Sequence, residues 1–159
     1  MKKSDYILIG VTLLVIIVSI FGIKGTKAAE EVTKEKVTLS GEASLTEINY
    51  TDYEGLQNSG EPFLVIIERT GCHYCELYMP IAEEVASTKN ISIKYIDIAN
   101  LSEEEFNNLT NSNSYFKKNQ EWGTPTTLLL KGSEVIDSIS GYVEKDKLET
   151  FIDDNIILG

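Results

Sequence analysis

A nearly continuous apolar run at residues 63–67, bounded by Pro62 and Gly71, is the feature that most constrains the fold of this chain. A short apolar run that is rich in β-branched residues is typical of a strand that is covered on both faces. Such a strand needs helices on both sides of its sheet. We therefore predict that residues 63–67 form the middle strand of an α/β fold.

Two hydrophobic periodicities alternate around this strand. The first predicted helix covers residues 51–58. Asn49 or Thr51 is expected to cap it, and Gly60 to end it. The stretch 107–120 is rich in Asn and Ser and has no clear period. The resulting order, β-α-β-α-β-α-β-β-α, predicts an α/β sandwich with a mixed sheet. Further strands are predicted over residues 45–48, 91–98, 126–131 and 135–139, and helices over 51–58, 75–87, from Ser102 onward, and over 145–155.

The N-terminal part contains an uncharged stretch, residues 6–23, that is long enough as a helix to span a bilayer. Lys2 and Lys3 precede it, which favours an N-terminus in the cytoplasm, although lysines on its far side weaken this signal. Two alternatives stay open. The segment is either a retained signal anchor of a single-pass cell-membrane protein with its C-terminal domain outside the cytoplasm, or a signal peptide cleaved near Ala28, which leaves a secreted protein.

Composition divides the chain into a signal-anchor segment at 1–27, a flexible tether at 28–45 and a folded domain at 46–159. The tether is predicted because Lys, Glu, Thr, Ser and Ala dominate it and large apolar residues are scattered. The formal net charge is −11. Residues 1–27 hold four lysines and only one acidic residue, so the rest of the chain is more acidic than the whole. Such an acidic domain repels phosphates, so we expect no nucleic-acid partner. A monomer is expected.

The two cysteines of the chain lie in one motif, Cys72-His73-Tyr74-Cys75, at the start of the helix that follows the middle strand. A helix N-terminus stabilises a thiolate, so it lowers the pKa of the first cysteine. We expect Cys72 to be the exposed nucleophile. Because two residues separate the thiols, Cys75 can attack a mixed disulfide at Cys72 and release the partner.

Other uses of this cysteine pair fit less well. A structural disulfide over so short a loop removes little chain entropy. A zinc site needs about four ligands, and only His73 joins Cys72 and Cys75. We therefore expect no metal and no organic cofactor.

Residues 46–157 resemble the thioredoxin superfamily. The middle strand followed by the cysteine motif is similar to the family's active-site turn, and Pro80 lies where the family has a proline in its active-site helix. The segment 123–126, Gly-Thr-Pro-Thr, resembles the family's cis-proline loop. The resemblance implies a three-layer α/β sandwich with a mixed central sheet.

The same resemblance implies a substrate-binding role for the loop before the strand at 126–131. Pro125 is expected to be cis, which leaves the backbone groups of Thr124 free to pair with an extended substrate strand. Trp122 lies just before this loop. It either flanks a peptide groove or packs in the interior.

The chain departs from the thioredoxin pattern at residues expected to tune the thiols. Ile66 stands where the family has a buried aspartate that assists proton transfer. Glu68 lies on the same face of the strand and could replace that aspartate as a proton acceptor through water; the alternative is an exposed glutamate at a strand end. His73, with its neighbour Tyr74, is expected to favour the Cys72 thiolate, or else to face solvent with little effect.

Within the superfamily, the Gly-Cys-x-Tyr-Cys and Gly-Thr-Pro-Thr segments are similar to bacteriocin transport accessory proteins, which usually have Pro at the position of His73. The cysteine motif with Pro125 downstream and the apolar N-terminal segment together predict an extracytoplasmic thiol–disulfide oxidoreductase whose substrates are secreted or envelope proteins that contain cysteine. A membrane electron-transfer protein or an export protein would be a further partner. The alternative is a thioredoxin-like accessory or docking module of a peptide or bacteriocin export system, in which the thiols are dispensable.

Overall fold

The computed structural model describes residues 35–39 and 41–159, so the apolar stretch at 6–23 lies outside the described residues. The strands are β1 (Val37–Leu39), β2 (Ser44–Glu47), β3 (Pro62–Glu68), β4 (Ser92–Asp97), β5 (Thr126–Lys131), β6 (Glu134–Ser140) and β7 (Ile156–Leu158). The helices are α1 (Tyr50–Ser59), α2 (His73–Lys89), α3 (Glu103–Asn111), α4 (Ser114–Lys118) and α5 (Lys145–Asn155), and a 3₁₀ turn covers Ile98–Asn100. Within the described residues, no helix is both long and apolar enough to cross a membrane.

A five-stranded sheet with the order β2-β4-β3-β5-β6 forms the centre of the fold. Strands β2, β4 and β3 run parallel, whereas β5 and β6 run antiparallel to their neighbours. The middle strand is β3, and its residues 63–67 are all buried. The predicted middle strand and the predicted mixed sheet are both confirmed.

Helices cover the two faces of this sheet because alternate side chains of β3 point to opposite sides. Leu64 and Ile66 pack in a core with α2 and α5. Val65 and Ile67 pack in a second core with α1, α3 and α4. The result is the three-layer sandwich that the resemblance implies.

The tether predicted over residues 28–45 is wrong in its C-terminal part. Strand β1 pairs in parallel with β7 at the end of the chain, with Leu39 opposite Leu158. Leu39 is buried in the core that contains side chains of α2 and α5. The sequence does not reveal this pairing, because a three-residue strand is too short to display a periodicity and its partner is more than 100 residues away.

Caps explain where the helices begin. Asn49 caps α1 as predicted: its side chain accepts a hydrogen bond from the backbone N–H of Asp52, and the Asp52 carboxylate accepts one in return. The stretch 107–120 holds the end of α3 and all of α4. Asn113 separates them and caps α4 by accepting from the N–H of Tyr115. The Asn residues without a period are therefore, in part, helix caps.

Candidate active site

The loop between β3 and α2 is held by a buried carboxylate on the neighbouring strand. The backbone N–H of Thr70 donates to Asp97 Oδ1 over 3.0 Å, and the Thr70 hydroxyl donates to Oδ2. Burial alone would raise the pKa of Asp97, but hydrogen bonds from Thr70 and Ala99 outweigh it and lower that pKa. Asp97 can hold the loop because β3 and β4 are parallel, so that their carboxyl ends lie side by side.

Cys72 is the N-cap of α2. Its Sγ accepts a hydrogen bond from the backbone N–H of Cys75 over 3.3 Å. The helix consequently begins at His73, two residues before the predicted start at Cys75. The thiol of Cys75 donates to Cys72 Sγ, and the two sulfur atoms are 2.7 Å apart. The motif thus places both sulfurs at the positive end of the α2 dipole.

The surroundings move the pKa values of the two thiols in opposite directions. Partial burial raises the pKa of Cys72, but hydrogen bonds from the Cys75 thiol, from Thr124 and from backbone N–H groups outweigh it and lower that pKa. Burial, together with the hydrogen bond to Cys72, raises the pKa of Cys75 to about 11. The pair therefore consists of one thiol that ionises readily and one that keeps its proton.

Cys72 is less exposed than predicted. Only 9% of its surface is accessible, against 1% for Cys75. The reason is that the loop before β5 covers it, and the Cys72 thiol lies 3.4 Å from the carbonyl oxygen of Thr124. Cys72 still borders a cavity of about 810 Å³.

The Thr124–Pro125 peptide bond is cis, as expected. Pro125 is buried, and its carbonyl oxygen accepts a hydrogen bond from the N–H of Gly141 over 2.8 Å. Thr124 borders the same cavity as Cys72, so this loop forms one wall of the opening at the nucleophile.

The Trp122 ring packs against neighbouring aromatic side chains, as one of its two predicted alternatives has it. The ring packs against Phe116 with centroids 4.8 Å apart and stacks on Phe106 at 6.2 Å. It also lines the cavity at Cys72.

Glu68 is half-buried at the end of β3, not exposed as one alternative had it. It shares a second cavity, of about 500 Å³, with Cys75. Burial, with the negative charges of Asp97 and Glu47 nearby, raises the pKa of Glu68 to about 7. Ile66, at the position of the thioredoxin aspartate, is fully buried in the core. Glu68 is thus an ionisable carboxyl group that borders the same cavity as Cys75.

His73 and Tyr74 both lie on the surface at the first turn of α2. Their ring centroids are 5.6 Å apart, and 60% of Tyr74 is exposed. Both residues border the cavity at Cys72. The part of the chain that the structure describes contains no group of three or more His, Cys, Asp or Glu side chains that could hold a metal ion.

Four residues of this region were not identified from the sequence. Asp97 holds the active-site loop, and Phe106 and Phe116 line the cavity from α3 and α4. Arg69 borders both cavities. Only Arg69 gave a signal that could have been used, because it is the single arginine of the chain and lies three residues before Cys72.

Comparisons with known proteins agree with this geometry. The sequence profile of a family described as "Thioredoxin-like domain" matches residues 50–156. A thioredoxin from Aeropyrum pernix superposes with a TM-score of 0.53 at 16% identity, over 67% of this chain and 83% of its own. Thioredoxin NaTrxh from Nicotiana alata gives a TM-score of 0.53 at 19% identity, over 74% of this chain and 97% of its own. Thioredoxin O2 from Arabidopsis thaliana, in its oxidized state, gives 0.51 at 19% identity, over 70% and 93%. At these identities the solved structures show a shared fold.

Proposed function

Because this chain belongs to the thioredoxin-like domain family, we propose that it is a thiol–disulfide oxidoreductase that works through Cys72 and Cys75. One observation carries the proposal: the two sulfur atoms lie 2.7 Å apart at the start of α2, with pKa values shifted in opposite directions. A thiol with a lowered pKa supplies the attacking thiolate. The buried Cys75 thiol keeps its proton beside the Cys72 thiolate until Cys75 attacks in the second step.

The first step joins the protein to its substrate. The Cys72 thiolate attacks one sulfur of a substrate disulfide, a new S–S bond forms, and the substrate's own S–S bond breaks. The other substrate sulfur leaves as a thiolate. The backbone of Thr124, whose carbonyl oxygen lies 3.4 Å from Cys72 Sγ, is placed to position the substrate chain at the reacting sulfur.

The second step releases the substrate. Cys75 loses its proton and attacks Cys72 Sγ, which breaks the mixed disulfide and frees the second substrate thiolate. Two electrons have then passed from the dithiol to the substrate disulfide, and the reverse sequence oxidises a substrate dithiol. Glu68 is our candidate for the proton acceptor, because it shares a cavity with Cys75 and its pKa is about 7.

Trapping tests this mechanism. A Cys75→Ser variant should accumulate mixed disulfides with protein partners through Cys72, since nothing resolves them. The matched Cys72→Ser variant should trap far less, because its remaining thiol is buried and has a pKa of about 11. Adducts are measured on non-reducing gels and identified by mass spectrometry. If neither variant forms adducts under oxidising and reducing challenge, the proposal fails.

The direction of electron flow follows from the reduction potential of the Cys72–Cys75 couple. A value near that of thioredoxin, about −270 mV, identifies a reductase, and one near −120 mV a strong oxidant. Equilibration with glutathione buffers of known potential measures it.

We further propose that the domain acts outside the cytoplasm, on secreted or envelope proteins, and that residues 6–23 anchor it. The support is the uncharged stretch after Lys2 and Lys3. In intact cells, protease added from outside should digest the domain. Protection from the protease in intact cells but not in lysed cells would contradict this location.

A second candidate function is a docking module of a peptide export system, with dispensable thiols. Two exposed apolar side chains on α2 favour it, because Tyr74 is 60% and Leu77 47% exposed beside the cysteine motif. Full export activity in cells that carry the double Cys72→Ser, Cys75→Ser variant would favour docking over redox exchange. Loss of export with that variant, but not with Tyr74→Ser, would favour redox exchange.

A further inference from the structure

The cavity at Cys72 differs in charge from the rest of the molecule. The chain has 25 Asp and Glu residues, yet none of the described residues that line this cavity is acidic. The only arginine, the only histidine and the only tryptophan of the chain all border it: Arg69, His73 and Trp122. The second cavity, on the Cys75 side, is bordered by Glu68, Glu76 and Glu83. The two sides of the thiol pair therefore present different chemistry.

One wall of the Cys72 cavity is aromatic. Phe106 of α3, Phe116 of α4 and Trp122 of the following loop form a contiguous cluster, with centroids 4.8 and 6.2 Å from that of Trp122. Phe106 and Trp122 are half-buried, so their rings face the cavity while Phe116 supports them from the core. A volume of about 810 Å³ accommodates a large side chain together with the backbone that carries it. This wall favours a ligand with an apolar side chain.

The guanidinium of Arg69 is available for an anionic ligand. Arg69 lies on the surface between the two cavities, and among the described residues it forms no ion pair, not even with the carboxylates of the Cys75 side. A guanidinium pairs well with a carboxylate because its N–H groups match both oxygens. The remainder of this acidic chain repels carboxylates. The Arg69 guanidinium can therefore bind a ligand carboxylate at the cavity that Cys72 borders.

We propose that the Cys72 cavity binds a polypeptide segment in which a large apolar side chain and a carboxylate flank the reacting cysteine. The apolar side chain lies against the wall formed by Phe106, Phe116 and Trp122, and the carboxylate pairs with Arg69. This substrate preference rests on the proposed oxidoreductase function and specifies which disulfides react fastest.

A matched set of peptide disulfides tests the preference. Each peptide carries one cysteine joined to thionitrobenzoate, with Leu or Ala on one side and Glu or Gln on the other, in both orders. Attack of Cys72 on the peptide sulfur breaks this S–S bond and releases the coloured thionitrobenzoate thiolate, which gives the rate. For the full-length chain we expect the Leu peptides to react roughly tenfold faster than the Ala peptides. The Glu peptides should react roughly threefold faster than the Gln peptides.

Variants assign each preference to its residue. Arg69→Gln should remove the preference for Glu and keep that for Leu. Arg69→Lys should keep part of the preference for Glu. Trp122→Ala should remove the preference for Leu and keep that for Glu. If Trp122→Ala does not fold, Phe106→Ala replaces it in this test. Lys131→Gln removes an equal charge from the opposite end of β5, so both preferences should persist. Lys131→Gln should also leave the rate of reaction with 2-hydroxyethyl disulfide, which lacks both groups, unchanged.

Binding separates this inference from the proposed function. Peptides with Ser in place of Cys should quench the fluorescence of Trp122, the only tryptophan, more strongly for the Leu and Glu members. Discrimination in binding without reduction of any disulfide would overturn the oxidoreductase proposal and support the ligand preference. Equal rates and equal binding across the peptides, with 2-hydroxyethyl disulfide still reduced, would overturn the preference alone.

Discussion

Cys72 and Cys75 are three residues apart in sequence, but their surroundings differ. Cys72 Sγ receives hydrogen bonds at the N-terminus of α2, whereas Cys75 lies within the first turn of the helix and is almost fully buried. Donors stabilise a thiolate, and burial stabilises a thiol. In the proposed mechanism, this difference gives Cys72 the attacking role and Cys75 the resolving role.

The thiol of Cys75 is the first of the groups that lower the pKa of Cys72 against the effect of burial. In a Cys75→Ala variant this donor is lost, so the pKa of Cys72 should rise and its alkylation by iodoacetamide at pH 7 should slow several-fold. A pH series of alkylation rates measures the change. Tyr74→Phe is the control. If the Cys75→Ala profile matches that of the unaltered chain, the hydrogen bond between the thiols is unimportant.

Glu68 should make the second step depend on pH. It accepts a proton only when ionised, and its pKa is about 7, so the rate of resolution should rise as the pH passes from 6 to 8. In Glu68→Gln this rise should disappear and the rate at pH 8 should fall by at least about tenfold. Single-turnover release of a peptide thiol after mixed-disulfide formation measures the step. Glu76→Gln, which removes another carboxylate from the same cavity, should keep the rise.

At the scale of elements, capped helices place the walls of the site. Helix α3 begins with a capping box in which Ser102 Oγ accepts from the N–H of Glu105 and the Glu105 carboxylate accepts from the N–H of Ser102. The following residue, Phe106, lines the Cys72 cavity. The start of α3 therefore fixes one part of the aromatic wall.

Loss of this cap should destabilise the fold measurably. Ser102→Ala removes the oxygen that accepts a hydrogen bond from the N–H of Glu105, and we expect it to lower the free energy of unfolding by about 1 kcal/mol. Urea titration followed by circular dichroism measures it. Ser114→Ala, at an exposed position in the first turn of α4, is the matched control and should change stability by less than about 0.5 kcal/mol. Equal effects of the two substitutions would contradict the role of the cap.

Elements with a strong local pattern were predicted correctly, whereas the short elements β1, α4 and β7 were not predicted. Strand β3, the hairpin of β5 and β6, and α5 follow from runs and periodicities within single segments. The start of α2 was predicted two residues late because Cys72 was not considered as a cap. Helix α4 has five residues, which is too few for an amphipathic period.

At the scale of the whole molecule, the N-terminal strand closes the domain. Strand β1 pairs with β7, and Leu39 is 7% exposed in the core that α2 and α5 share. The active-site helix is thus supported by residues from both ends of the described chain. The folded domain extends at least nine residues before the boundary predicted at residue 46.

Truncating Leu39 tests this boundary. Leu39→Ala should lower the free energy of unfolding by about 2–4 kcal/mol, because it removes buried apolar contacts and leaves a cavity. Thr38→Ala, at the exposed neighbouring position of β1, should cost less than about 1 kcal/mol. Chemical denaturation of the full-length chain gives both values. If the two substitutions have the same small effect, residues 37–39 are part of a tether after all.

The sequence alone determined the features that are local: the buried strand at 63–67, the cysteine motif that follows it and the proline loop at 123–126. Each is encoded in a few adjacent residues, so propensity and spacing are sufficient to predict it. Only the tertiary structure decided what surrounds the thiols. Glu68 acquires its raised pKa from burial and from the charges of Asp97 and Glu47 on other strands, and the aromatic wall joins residues of α3, α4 and a loop. These properties depend on which distant segments pack together, and burial and charge at a site are sums over all of them.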